Sequence, residues 1–310
     1  MSALEEKVLV SVCCTAYNHA KYIRSCLDGF VNQKTNFKYE VIVHDDASTD
    51  NTANIIKEYA DKYPEIIKPI FQKENKYQRG VLIYEEYIFP KCTGKYVAYC
   101  EGDDYWCDEN KLQKQVDILE KHPDYVACVH QTKRIDVRNQ KESLFVDRNK
   151  NGILEKERFF WATIPYQTSS LMSKRELLVE RPDFCFVSKI FGDYPYAIFL
   201  ALKGDVYYIN DVMSVYRKFT EGSWSSLNDG KRKLEYLKDI IKILALADEY
   251  SGLRYHRLID KKKLGYEYRL WKHTVGFEVI TNDRFKLLSV SKKLKMVFYI
   301  LCRKLGVGVR

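Results

Sequence analysis

The stretch "KYVAYCEGDDYW" (Lys95–Trp106) runs a β-prone apolar segment straight into acid, and five carboxylates fall between Glu101 and Glu109, with Asp103 and Asp104 adjacent. Neighbouring carboxylates repel when ionised, and a hard divalent cation with oxygen ligands is the simplest group that relieves them. Mg²⁺ uses one or two protein carboxylates and completes its shell with phosphate oxygens and water, so the pair predicts a diphosphate ligand. The competing reading is a solvated acidic turn followed by an Asp N-cap.

Outward from that turn, apolar β-type runs alternate with helical patterns. "KVLVSVCC", "YEVIVHDD" and "IIKPIF" read as strands, and "YVAYCEGDD" as a fourth. Between them "NHAKYIRSCLDGFVNQ" spaces Ile23, Leu27 and Phe30/Val31 for a helix, and "STDNTANIIKEYADKYP" predicts a second, capped at Ser48, Thr49 or Asp50. "GVLIYEEYIFPKCTG" predicts a helix up to Pro90. "DENKLQKQVDILEKHPD" predicts another, capped by Asp108, with Leu112, Val116 and Leu119 inward, and "YVACVHQTKRIDV" a further strand.

This alternation predicts an α/β fold, a Rossmann-like, mostly parallel sheet flanked by helices. Ligands of such sheets bind outside the carboxyl ends of the strands. Three strand ends become polar there: "TAYN" (15–18), "HDDASTD" (44–50) and "EGDDYW" (101–106).

The chain has 310 residues with a hydrophobic share of 46%, and no segment reaches the roughly 20 continuous apolar residues a membrane-spanning helix requires. Its start, "MSALEEKVLVSVCC", places acids before the apolar run, so no signal peptide is expected and the cytoplasm is the expected compartment. The nine cysteines form no CxxC pair, which argues against a zinc site or a disulfide framework. The net charge of +9 resides in the tail: residues 226–310 hold 20 Lys+Arg against 9 Asp+Glu, whereas residues 1–225 hold 31 against 33.

"VSVCCTAYNHAKYIRSCLDGFVNQ" resembles the opening of glycosyltransferase family 2, of the type found in bacterial polysaccharide synthesis. "VIVHDDASTDNT" is similar to that family's "VDDGSTDNT", and "EGDDYW" sits where its metal-binding acidic motif falls. The resemblance covers roughly residues 8–120 in order and spacing, and implies a GT-A fold with a nucleotide-sugar half (1–105) and an acceptor half (106–225), followed by a helical, basic C-terminal extension (226–310).

By position, the resemblance implies that Thr15 and Tyr17 line the nucleobase pocket, Tyr17 by stacking, and that Asp45 and Asp46 bond base or ribose, favouring uracil or thymine. Asp103 would meet the ribose and Asp104 a divalent Mn or Mg ion, or the reverse. Arg79, in "ENKYQRG", is a candidate phosphate or base contact, and Asp193, in "GDYPYAIF", the candidate general base. Trp106, Thr168 and Ser169 are candidate acceptor contacts. Relatives commonly carry "YRxH" where this chain reads "YRKF", so Phe219 replaces a histidine and Arg217, Lys218 or a loop amide would steady the departing diphosphate.

The resemblance therefore implies inverting sugar transfer from a nucleotide sugar to a glycan or lipid-linked hydroxyl. A metal-dependent nucleotidyltransferase, a receiver domain and a non-catalytic sugar-nucleotide-binding protein are rivals. The first lacks its Gly/Lys-rich phosphate loop, and the second is shorter and leaves Asp103 and Asp104 unused. A nucleic-acid partner is not expected, because no sheet of interleaved aromatic and basic residues is evident.

From Arg284 to Arg310 there are eight basic residues and no acid. As a helix this tail would align Leu287, Val290, Leu294, Val297 and Leu301, suiting either peripheral membrane contact at the inner face of the plasma membrane or docking on the protein's own core.

Overall fold

The computed structural model describes residues 7–160, 164–189, 191–221 and 230–304; side chains at 230–232 and 303–304 fall outside it. The 225/226 boundary and the tail beyond residue 304 therefore lie outside the described residues. Contacts divide the chain into one unit of residues 1–159, 163–181 and 199–228, and a second of 160–162, 182–198 and 229–310.

In the first unit a ten-stranded sheet forms from β1 (Val10–Ala16), β2 (Tyr39–Asp45), β3 (Ile67–Phe71), β4 (Tyr96–Tyr99), β5 (Tyr105–Trp106), β6 (Tyr125–Asp136), β7 (Lys141–Leu144), β8 (Gly152–Ile153), β9 (Met172–Lys174) and β10 (Asp205–Lys218). Its order is β3-β2-β1-β4-β9-β6-β10-β5, with β7 beside β6 and β8 beside β10. The β3-β2-β1-β4 half is wholly parallel, as is β6 with β10, while β9, β5, β7 and β8 pair antiparallel to their neighbours.

Strands β1, β2 and β4 are buried almost throughout, which explains their unbroken apolar character in place of alternation. Helix α1 (Ile23–Val31) buries Ile23, Cys26, Leu27 and Phe30, and α2 (Thr52–Lys62) buries Ile55, Ile56 and Tyr59. Helix α3 (Lys111–Lys121) turns Leu112, Val116 and Leu119 inward as expected, although Asn110 and not Asp108 occupies its cap. The predicted helix before Pro90 is instead a π turn over Tyr84–Ile88 and a 3₁₀ turn over Phe89–Lys91. A five-residue repeat aligns Ile83 with Ile88, and both are buried.

One close approach fixes the acidic turn. A Cβ on Gly29 in α1 would lie 2.7 Å from the carbonyl oxygen of Trp106, so glycine lets the helix rest directly on β5.

The second unit holds α5 (Gly230–Tyr250), α6 (His256–Thr274), α7 (Asp283–Lys286) and α8 (Val290–Lys304), together with the start of α4 (Asp193–Lys203). Its own core joins Tyr268, Val279, Phe285, Leu288, Met296 and Ile300. The tail therefore docks through Met296 and Ile300, and not through the row anticipated from the sequence. Among the described residues no helix is long and apolar enough to cross a membrane.

Candidate functional site

The carboxyl ends of β1, β2 and β4 lie side by side. Ala16 pairs with Asp45, and beyond β4 the chain still follows β1, with the Gly102 N–H donating to the Thr15 carbonyl at 2.9 Å. The three polar strand ends thus share one edge.

The "TAYN" and "STD" loops brace each other. The Asn18 N–H donates to Ser48 Oγ at 2.9 Å, Asn18 Oδ1 accepts the Thr49 N–H at 2.8 Å, and Asp50 accepts the N–H groups of Ala20 and Thr52. Asn18 sits at φ 56°, a left-handed conformation that Asn tolerates better than most residues. The turn leaves Tyr17 36% exposed beside half-buried Thr15. An aromatic face is thereby open for stacking.

Asp45 and Asp46 are both buried, and they do different work. Asp45 accepts the Ser48 N–H and hydroxyl. Asp46 holds the 74–80 loop, accepting the backbone N–H groups of Lys76 at 2.8 Å and Tyr77 at 3.0 Å. In that loop Arg79 is exposed and pairs with Glu74 at 2.5 Å.

Around the acidic pair the structure builds a frame the sequence did not disclose. Asp104, fully buried, accepts the Arg217 N–H at 2.8 Å on Oδ1 and Gln167 Nε2 at 3.1 Å on Oδ2. Asp103 accepts the Thr220 hydroxyl at 2.6 Å. The Arg217 side chain turns back into the frame, with Nη1 donating to the Asp103 carbonyl at 2.7 Å, Nη2 to Ser25 Oγ at 2.9 Å, and the guanidinium over the Tyr105 ring. Gln167 is held by Ser169, whose hydroxyl oxygen also lies within hydrogen-bond distance of Ser214 Oγ, at 2.9 Å, and Trp106 Nε1 donates to the Ser169 carbonyl at 2.9 Å.

These contacts move several residues out of the contact set expected from sequence. Trp106 is 3% and Ser169 1% exposed, so both belong to the support beneath the pair, leaving half-buried Thr168 as the accessible member of its turn. Arg217 is committed to the same support. Lys218 stays half-exposed, its ammonium 4.4 Å from the centre of the Phe219 ring. Phe219 adopts φ 67° and carries the Arg138 guanidinium against its ring.

Burial drives the Asp104 carboxyl well above the ordinary aspartate range, and the charges of Asp103 and Glu101 push it further in that direction. Half-exposed Glu101, overlooked in the motif, is therefore a third member of this field. Its signal was legible as the first acid of "EGDD". His19 is another overlooked residue: its Nδ1 is buried with no hydrogen-bond partner, and burial lowers its pKa against the pull of Asp103, Asp50 and Asp45. Clustered acid of this kind, offset only in part by Arg217, fits a divalent cation, which takes one or two of the carboxylates and draws its other ligands from phosphate and water. Among the described residues no three ligand-type side chains converge on one point, so a cation here depends on such outside oxygens.

Asp193 belongs to the second unit, at the start of α4, exposed, with Oδ1 accepting the Tyr194 N–H at 2.8 Å. Desolvation raises its pKa, and water reaching the side chain works against that shift.

Comparison with known proteins agrees with this architecture. The family model described as "Glycosyl transferase family 2" matches residues 11–179. An uncharacterised Mycobacterium tuberculosis protein, Rv1520, is 35% identical over 224 residues, 72% of this chain and 63% of that protein, so the match spans less than two thirds of the relative's length. Staphylococcus aureus TarS 1–349 in complex with UDP superposes with a TM-score of 0.62 at 15% identity, covering 98% of this chain and 93% of that one. The mannosyltransferase PcManGT of Pyrobaculum calidifontis, in complex with GDP-Man and Mn²⁺, gives a TM-score of 0.54 at 19% identity over 97% and 87%. At such identities the superpositions speak for the fold alone, a GT-A α/β fold. With its parallel strand ends, its acidic turn and a family match over more than half its length, the chain belongs to glycosyl transferase family 2.

Proposed function

We propose that the protein transfers a sugar from a nucleoside-diphosphate donor, UDP by preference, to a hydroxyl of a glycan or lipid-linked acceptor in surface polysaccharide synthesis, acting from the cytoplasm and inverting the anomeric centre. The observation that carries this reading is the meeting of Tyr17, Asp45 and the Asp103–Asp104 pair at one sheet edge. The UDP-bound and GDP-Man-bound neighbours of the same fold support a nucleotide-sugar donor.

In this reading the uracil stacks on Tyr17 beside Thr15, and its imide N–H faces the Asp45 carboxylate, which keeps lone pairs beyond those used by Ser48. Asp46 shapes the pocket indirectly, by fixing the loop that presents Arg79. Asp103, with half-exposed Glu101 beside it, would hold a Mn²⁺ or Mg²⁺ ion, and Asp104, fully buried with both carboxylate oxygens engaged by Arg217 and Gln167, would back it from beneath in place of the direct metal contact expected from the sequence. That ion supplies positive charge to the departing diphosphate. With Phe219 in the histidine's place and Arg217 engaged, Lys218 is the side-chain cation left for the same task. Asp193 takes the acceptor's proton as the new bond to the anomeric carbon forms and the bond to the diphosphate oxygen breaks. Thr168 contacts the acceptor.

Thermal-shift titration with UDP-, GDP- and dTDP-sugars, each with and without Mn²⁺, tests the donor assignment, since a ligand stabilises by RT ln(1 + [L]/Kd). Cation-dependent stabilisation by a UDP-sugar, followed by release of UDP once acceptor is added, is the expected outcome. Binding without turnover on any acceptor would favour a non-catalytic sugar-nucleotide protein, and no binding at all would end the proposal.

A further inference from the structure

Helix α8 has two apolar faces, and the chain uses one of them. Met296 and Ile300 are buried against Tyr268, Val279, Phe285 and Leu288. On the other side Leu287, just before the helix, and Val290, Leu294, Phe298 and Leu301 within it are between 45% and 72% exposed. Spacings of three and four residues put Val290, Leu294, Phe298 and Leu301 in one continuous stripe about three turns long, with Leu287 in the turn that precedes it. Isolated exposed leucines are ordinary, but a row of four large apolar groups on one face marks a contact surface.

Charge identifies what meets it. Lys292 and Lys295 are exposed and Lys293 is half-buried on the same helix, and no acid occurs from Arg284 onward. At 100° per residue Lys295 flanks the stripe on one side and Lys293 on the other. A protein partner seated on the stripe would have to leave those ammonium groups paired or hydrated at its rim. A lipid leaflet accepts both features together, taking the apolar row into the acyl boundary while its anionic headgroups meet the lysines. At 15 residues, α8 is too short to cross the bilayer and suits lying in its plane.

We infer that α8 is an interfacial anchor that binds the surface of an anionic membrane through Val290, Leu294, Phe298 and Leu301, with Lys293 and Lys295 on the headgroups. This goes beyond the glycosyl-transfer reading and stands independently of it, because the helix lies wholly in the second unit.

The test is co-sedimentation of the full chain with vesicles of phosphatidylcholine alone and of phosphatidylcholine mixed with phosphatidylglycerol. Binding to the mixed vesicles, weakened by added salt and absent with phosphatidylcholine alone, is expected. Lys293→Gln and Lys295→Gln should each lower the partition coefficient about fivefold, whereas Lys292→Gln, on the side of the helix that faces Tyr268, should change it little. Leu294→Glu combined with Phe298→Glu should abolish binding while leaving the Tm unchanged, since both side chains are exposed. Donor-induced thermal shifts should be the same in these variants as in the parent, so failure of the anchor and failure of the transferase reading are read separately. No affinity for the anionic vesicles, binding that survives Leu294→Glu with Phe298→Glu, or a dimer in solution that those changes dissolve would each overturn the proposal.

Discussion

Arg217 grips both members of the acidic pair through backbone groups: its own N–H donates to Asp104 Oδ1 at 2.8 Å, and its Nη1 donates to the Asp103 carbonyl at 2.7 Å. The residues are more than a hundred positions apart in sequence, so this double contact couples the end of β10 to the turn after β4. Arg217→Lys keeps the charge but lacks the planar fork that serves Asp103 and Ser25 together. It should lower unfolding stability by about 1–3 kcal/mol and weaken donor binding, as urea denaturation and thermal shift would show.

Asp46→Ala leaves the N–H groups of Lys76 and Tyr77 without their acceptor. A loss of about 1–3 kcal/mol is expected, with the 74–80 loop becoming accessible to protease before the rest of the chain. Limited proteolysis checks this, and an unchanged cleavage pattern would show that the loop is held by other contacts.

Lys111 is fully buried, donates to Gln115 Oε1 at 2.7 Å and lies 3.9 Å from the centre of the Trp106 ring. Burial lowers its pKa from 10.5 to about 7, against the opposing pull of Cys100, Cys128 and Asp108. Because the folded-state value is depressed, the unfolded chain binds more protons between about pH 7 and 10.5. Stability therefore rises with pH across that window and is lost as pH falls through the folded-state value. Lys111→Met should flatten the dependence, read as urea midpoints at about pH 7 and about pH 9.

Asp193→Asn should leave donor-induced stabilisation intact and reduce transfer by about 10² to 10⁴. Near-normal turnover would remove Asp193 from the role of base.

The parallel half of the sheet was legible because its signals are local: apolar runs long enough for buried strands, helical spacing in Ile23, Leu27 and Phe30, and acids at strand ends. The acidic pair could be found for the same reason. Its frame could not, because the Thr220–Asp103 and Gln167–Asp104 contacts depend on β9 and β10 joining the sheet, and no spacing along the chain announces that register. Helix α8 shows the opposite difficulty. Its periodicity fits two apolar faces at once, and only the packed neighbours Tyr268 and Phe285 reveal which one the chain fills.

Strand β10 inserts between β6 and β5, and with the residues that follow it supplies Ser214, Arg217 and Thr220 to the acidic pair. A nascent polypeptide released or stalled before Ser214 emerges from the ribosome therefore lacks every one of these supports. It would also present the long strand β6 with one unsatisfied edge, the kind of surface on which incomplete chains associate wrongly. The frame around the acidic pair, although Asp103 and Asp104 are translated more than a hundred residues earlier, is complete only once Thr220 has been made.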